Sequence, residues 1–259
     1  MYMRLIAILL LVILPLSVTQ QDEYKWGRPT SKGVDAYVER NWLEFIEDYQ
    51  DFVDDTLFFE PFITTDDLSD YVNYTRGDMG YYERPDNIII SNEPRYIDYE
   101  LSRLSDYEKN RYREATQFVR GVVMHELTHC YIYQIMMMAQ YDKKLEYEWR
   151  QGLRIIPVDS YGTDFLEEGV CEYVVELMDE MICGTERIVI SRNDLNIANR
   201  NQQRVKYAYS RQFVKPVVDE YGLKPAIYLM ITNKPPSLEE ILDPELYYQR
   251  LNLAVGNQI

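Results

Sequence analysis

The chain has 259 residues, of which 27 are Lys or Arg and 43 are Asp or Glu, so its formal net charge is −16. A surface this acidic repels the phosphates of nucleic acid, which excludes DNA and RNA as partners. The length and a hydrophobic content of 46% are sufficient for one domain with a substantial core.

The first twenty residues read MYMRLIAILLLVILPLSVTQ. One Arg precedes an apolar run from Leu5 to Leu16, which is shorter than the ~20 residues of a membrane-spanning helix. The layout predicts a secretory signal peptide over residues 1–19, with a retained membrane anchor as the alternative. Cleavage would release residues 20–259 as one exported domain with no stable membrane insertion, of which residues 20–78 resemble nothing recognised.

Three segments upstream of residue 92 have predictable structure. Residues 34–53 carry apolar side chains along one stripe and predict an amphipathic helix. Residues 57–63 favour a strand, which Pro61 would confine to a sheet edge. Residues 79–91 predict a β-hairpin, because two β-favouring runs flank a Pro-Asp-Asn turn. An exposed edge of this hairpin could pair with an extended peptide substrate. A hairpin that only completes the core is the equal alternative.

Residues 118–139, FVRGVVMHELTHCYIYQIMMMA, contain the sequence H-E-x-x-H on a predicted helix. Residues four apart lie on one face of a helix, so His125 and His129 can bind one zinc ion. Glu126 then lies beside them, placed to take a proton from a metal-activated water. The chain has only 2 histidines, and both are in this motif.

A catalytic zinc ion usually has three protein ligands and one open position. With no further histidine, the third ligand must be a carboxylate or a thiolate. Glu168 is the better placed candidate and Cys171 the weaker one. The three cysteines do not form a disulfide framework, and we expect Cys130, Cys171 and Cys183 to be small buried side chains, although one pair could form.

Residues 163–176, TDFLEEGVCEYVVE, predict a second helix after a turn at residues 160–162. Asp164 would be its N-cap, and Glu167 would complete a capping box, which leaves Glu168 free to bind metal. Glu172 lies one turn beyond Glu168 on the same face. It could accept a hydrogen bond from the second nitrogen of a metal-binding imidazole.

HELTH followed by LEEGVCEYV resembles the gluzincin zinc metallopeptidases, in which a second helix supplies a ligating Glu. Within them it is similar to the peptidase MA-like group, including the plant basic secretory proteins, which carry I/L-E-G-x-x-x-Y after H-E-x-T-H. The resemblance covers about residues 80–230 and implies Glu168 as the third ligand of zinc. It also implies a zincin-like α+β fold. In such a fold a small mixed sheet, with a hairpin edge strand, packs on the motif helix ahead of a mainly helical C-terminal part.

Peptide hydrolysis through a tetrahedral intermediate needs a hydrogen-bond donor for the oxyanion. With both histidines used as ligands, Tyr or Arg must serve. In the gluzincins a Tyr on a later helix faces the zinc, and Tyr209 in residues 205–222 matches that position. Tyr207 is the alternative, and core packing of these tyrosines is an equal one. Pro216 is expected to kink or interrupt this helix.

The sequence therefore predicts an exported zinc metallopeptidase with a peptide or protein substrate. Relatives that are aminopeptidases carry G-x-M-E-N, with an amine-binding Glu. The nearest string here, Gly77-Asp78-Met79-Gly80, lacks that Glu, which favours an endopeptidase. Two alternatives remain: a zinc-binding protein without peptidase activity, and a zinc hydrolase of another bond. The pattern predicts no oligomeric state.

Overall fold

The structure is a computed structural model that describes residues 31–58, 61–66, 68, 80–83, 86–92, 115–141, 160–178 and 200–253. The described helices, in chain order, are α1 (Ser31–Val53), α2 (Ala115–Tyr141), α3 (Ser160–Leu177), α4 (Arg200–Tyr221), α5 (Leu223–Thr232), α6 (Leu238–Leu242) and α7 (Pro244–Arg250). The strands are β1 (Phe62–Asp66), β2 (Gly80–Glu83) and β3 (Asn87–Ser91). This part of the chain is mixed α+β and mostly helical, which confirms the predicted α+β class. The predicted signal peptide lies outside it.

The three strands form one mixed sheet in the order β1-β3-β2. β2 runs antiparallel to β3, so the predicted hairpin is confirmed, and β1 runs parallel to β3. β3 is the central strand and is buried across Ile88, Ile89 and Ile90, as expected where both faces of a strand are covered. β1 begins directly after Pro61 and lies at a sheet edge, where a residue without a backbone N–H is tolerated.

Helix α2 carries the H-E-x-x-H motif through the middle of the described structure. It contacts α1, α3, α5, β2 and β3. Its sequence is apolar around almost its whole circumference, which is the pattern of a helix buried on every side. The motif is therefore part of the core, and its side chains are positioned by several different elements.

Helix α1 fixes the side of α2 that faces away from the histidines. The Tyr49 hydroxyl donates to Thr128 Oγ1 at 3.2 Å, and the Thr128 hydroxyl in turn donates to the Met124 carbonyl at 2.8 Å. Asp48 accepts a hydrogen bond of 2.8 Å from Arg120. The predicted amphipathic helix is thus confirmed, and it belongs to the same hydrophobic core as the motif.

The predicted turn at residues 160–162 and the predicted N-cap at Asp164 are wrong. Helix α3 begins at Ser160, so residues 160–162 are helical and Asp164 lies inside the helix rather than capping it. Glu167 therefore lies well inside the helix, and its carboxylate contacts His129 of α2 instead of closing a capping box. Helix α4 continues through Pro216 without interruption, because its packing against α3 outweighs one missing backbone hydrogen bond.

Gly169 allows α3 and α4 to approach closely. A Cβ at this position would lie 2.5 Å from the backbone oxygen of Ser210, a contact that neither helix could relieve without moving apart. Any side chain at residue 169 would therefore separate the helix that carries Glu168 from the helix that carries Tyr207 and Tyr209. The glycine of the LEEG sequence has a packing role here.

Cys130 and Cys171 are buried free thiols, as expected, and Cys183 lies outside the described residues. Ser237 caps α6 in a capping box with Glu240. In the described part of the chain, no helix combines the length and the apolar character that crossing a membrane requires.

Candidate metal centre

The two histidines of the motif present one nitrogen each to a common point. They lie one turn apart on α2, with ring centroids 5.0 Å apart. The Nε2 atoms of His125 and His129 are 3.2 Å apart. Both rings are largely shielded from solvent, because α3 covers this face of α2.

Glu168 on α3 completes a triangle with these nitrogens. Its Oε2 lies 3.1 Å from Nε2 of His125 and 3.8 Å from Nε2 of His129. A tetrahedral zinc ion with bonds of 2.0–2.1 Å holds its nitrogen and oxygen ligands about 3.4 Å apart. The three observed separations bracket that value, so the distances between the donor atoms are those expected for ligands of one zinc ion.

The second nitrogen of each imidazole faces another carboxylate of α3. Nδ1 of His129 lies 2.9 Å from Oε1 of Glu167, and Nδ1 of His125 lies 3.4 Å from Oε1 of Glu172. A carboxylate can only accept, so these contacts place an imidazole proton on each Nδ1. Nε2 of each ring is then the nitrogen that faces the other members of the triangle and could bind a metal ion.

The electrostatics of the cluster agree with a cation site. Burial lowers the pKa of both imidazoles, but the neighbouring Cys171 and Glu168 raise it more and hold it well above its usual value. Burial raises the pKa of Glu168, yet its hydrogen bonds to the two imidazoles lower that pKa far below its usual range. Glu168 is therefore an anion, and the buried group favours positive charge at the point where its donors meet.

Cys171 lies next to this triangle. Its Sγ and one nitrogen of each histidine all lie within 4.8 Å of one another, which is close enough for one metal ion. Burial raises the pKa of this thiol, while positive charge on the two imidazoles lowers it, and the net shift is upward. The described residues thus offer four donors, with both candidates for the third ligand, Glu168 and Cys171, on the same helix.

Glu126 lies on a different face of α2 from the imidazoles, against strand β2. Its side chain is 7% exposed, and a Cβ added to Gly80 would lie 2.6 Å from its Oε1. Alternate residues of a strand point the same way, and Tyr82 accordingly also faces α2, with its ring centroid 6.3 Å from that of Tyr133. Tyr81 points away from α2 and is 41% exposed.

The two candidate tyrosines of α4 occupy different environments. The Tyr207 ring lies beside the motif, with its centroid 6.4 Å from that of His125. The Tyr209 hydroxyl donates instead to the Ile241 carbonyl at 2.7 Å, and its ring packs against Phe165. The hydroxyl proton of Tyr209 is therefore used in the core. The structure brings the alternative, Tyr207, to the histidines and gives Tyr209 a packing role.

Sequence reasoning missed Glu167 as a partner of His129. The signal was available, because two ligating imidazoles need two acceptors for their second nitrogens. The segment contains Glu167 and Glu172 beside Glu168, but the spacing of Asp164 and Glu167 predicts a capping box and so gives Glu167 a different role. The role of Gly80 was also missed, and it follows only from the pairing of β2.

No family model matches the chain, and no curated protein or solved structure matches it either.

Proposed function

We propose that the protein is an exported zinc metallopeptidase of the gluzincin type, with a zincin-like fold. The observation that carries the proposal is the convergence of two Nε2 atoms and Glu168 Oε2, at separations of 3.1, 3.2 and 3.8 Å, beside a buried glutamate. Two imidazoles and a carboxylate form a donor set of catalytic zinc sites, which keep a fourth position open. The H-E-x-x-H and L-E-E-G sequences support the same assignment.

His125, His129 and Glu168 would hold the ion, with Glu172 and Glu167 orienting the imidazoles. When bound, zinc supplies Lewis acidity, which lowers the pKa of a coordinated water and polarises the substrate carbonyl. Glu126 takes the proton of the attacking water and returns it to the leaving amine. Its position against β2 keeps the carboxylate shielded from bulk solvent.

The substrate would bind along β2. This strand is at the edge of the described sheet and lies directly against the helix of Glu126. An extended peptide can add to such an edge through main-chain hydrogen bonds, which places a peptide carbonyl close to the metal position. Gly80 occupies the end of the string in which aminopeptidases carry an amine-binding Glu, so an internal peptide bond is the favoured substrate.

Tyr207 is the proposed oxyanion donor. Replacing Tyr207 by Phe is expected to lower kcat by about 100-fold, the loss typical of one oxyanion-hole donor. Tyr209→Phe is the matched control, because it removes a hydroxyl bound to the Ile241 carbonyl. It should cost about 1 kcal/mol of unfolding free energy and leave kcat unchanged. Steady-state kinetics and thermal unfolding of both variants measure these effects. If Tyr207→Phe has the same kcat as wild type, Tyr207 has no part in the mechanism.

A second function is favoured by Cys171. If the thiolate binds together with both histidines and Glu168, zinc has four protein ligands and no open position, which is the arrangement of a structural site. The protein would then bind zinc without turnover. Cobalt substitution separates the two functions, since thiolate ligation gives an intense near-ultraviolet charge-transfer band that Cys171→Ser would abolish. Ligation by the two histidines and Glu168 alone gives no such band.

Cleavage of a peptide library by the purified protein tests the proposed function. Mass spectrometry should find internal cleavage products that disappear on chelation and return when zinc is added. If the zinc-loaded protein matches Glu126→Gln on every peptide, the peptidase proposal is wrong. A panel of ester and non-peptide amide substrates then decides whether the same site hydrolyses another bond.

A further inference from the structure

Strand β2 is held by two neighbours near the proposed general base: β3 pairs with one of its edges, and α2 packs against one of its faces. Gly80 pairs with Ile90 of β3, and Tyr82 pairs with Ile88, so the strand is tied to the centre of the sheet. On its other side the Tyr82 ring contacts Tyr133 of α2. β2 therefore has little freedom to move away from α2.

The contact between β2 and α2 leaves no room for a side chain at residue 80. A Cβ there would meet Glu126 Oε1 at 2.6 Å, Glu126 Cγ at 2.7 Å and Val122 Cγ1 at 2.8 Å. Val122 is β-branched and on a helix, so its side chain is restricted to essentially one rotamer. The end of the Glu126 side chain is the most flexible of the three contacts, and it is the one that would yield.

We propose that Gly80 is a positioning residue for Glu126: the backbone of β2, which has no side chain at this residue, packs directly against the Glu126 carboxylate and holds it in place. This inference rests on the proposed function for its kinetic consequences, but the contact itself does not. The three atoms nearest to a Cβ at Gly80 belong to Glu126 and Val122 and not to a donor of the metal triangle, so we expect the replacement to affect the base and not the ligands.

Gly80→Ala is the direct test. We expect kcat to fall by about 100-fold, the loss that a displacement near 1 Å of a catalytic group can cause. KM and zinc stoichiometry should stay close to wild type, because ground-state binding and the ligands are untouched. Gly222→Ala is the matched control. It makes the same chemical change at a residue with φ of 83°, where Ala is strained and no atom lies closer than 3.9 Å to the added Cβ. It should lower thermal stability and leave kcat unchanged.

Two further measurements keep the test decisive. A Glu126→Ala background removes two of the three close contacts and leaves only Val122 Cγ1 at 2.8 Å, so Gly80→Ala should lower the unfolding temperature less than it does in wild type. That comparison remains informative even if the single variant folds poorly. A crystal structure of Gly80→Ala should show the Glu126 carboxylate displaced by about 1 Å with both imidazoles unmoved.

The outcomes separate this inference from the proposed function. If Gly80→Ala keeps its kcat, loses zinc, or shows Glu126 undisplaced, Gly80 has no positioning role. If wild type cleaves no substrate while Glu126 is displaced in the variant, the positioning contact stands and the peptidase proposal fails.

Discussion

Replacing Glu126 by Gln is expected to lower kcat/KM by about 1000-fold, within the range attributed to general acid–base catalysis. Gln has the same shape but accepts no proton, so the attacking water loses its base. The side chain still fits against Gly80 and Val122, and zinc stoichiometry and thermal stability should remain those of wild type. Kinetics on a cleaved peptide, with metal content measured on the same sample, test the expectation.

An exposed acid on α4 provides the control for this substitution. Glu220→Gln makes the same chemical change at the surface and should leave kcat/KM, zinc content and stability unaltered. A Glu126→Gln enzyme that retains more than about one tenth of wild-type kcat/KM would show that another group takes the proton. Loss of zinc in that variant would instead place Glu126 among the ligands.

The part of the site that could be predicted depends on positions within single helices. His125 and His129 share a face of α2 because they are four residues apart, and Glu168 and Glu172 share a face of α3 for the same reason. The structure brings these four side chains together. Local periodicity was sufficient for this, since each helix is long and contains no Pro.

The part that could not be predicted depends on which elements pack against each other. A shift of two residues on a helix rotates a side chain by about 200°, so Tyr207 and Tyr209 point to nearly opposite sides of α4. Sequence similarity placed the functional role at Tyr209, but the packing of α6 binds its hydroxyl to the Ile241 carbonyl. Glu167 was likewise assigned locally, to a cap, because its partner His129 is 38 residues away.

The motif is best described by the three different neighbours of α2. α3 carries the acids that contact the imidazoles. The backbone of β2 packs against Glu126, and Tyr49 of α1 donates a hydrogen bond to Thr128. Each neighbour contacts different residues of the helix, so the proposed metal ligands and the proposed base are held by different elements. Substitutions at the β2 contact should therefore change turnover, and substitutions at the α3 contact should change metal binding.

Removal of Glu168 is expected to have the largest effect on metal binding. Glu168→Ala should weaken zinc binding by much more than the ~10–100-fold typical of losing a partner of a ligand, and abolish turnover. Its carboxylate is the only anionic member of the three-atom triangle, and its loss leaves two imidazole nitrogens 3.2 Å apart. Competition with a zinc chelator measures the affinity, and the rise in unfolding temperature on adding zinc gives an independent reading.

Three neighbouring substitutions on α3 make this result specific. Glu167→Gln and Glu172→Gln each leave the triangle intact and weaken the partner of one imidazole, so each should cost only about 10–100-fold in zinc affinity. Cys171→Ser changes one atom of a fully buried side chain and should cost less still if Glu168 is the third ligand. If Cys171→Ser weakens zinc binding more than Glu168→Ala does, the thiolate is the third ligand. The two-imidazole, one-carboxylate centre, and with it the gluzincin assignment, would then be wrong.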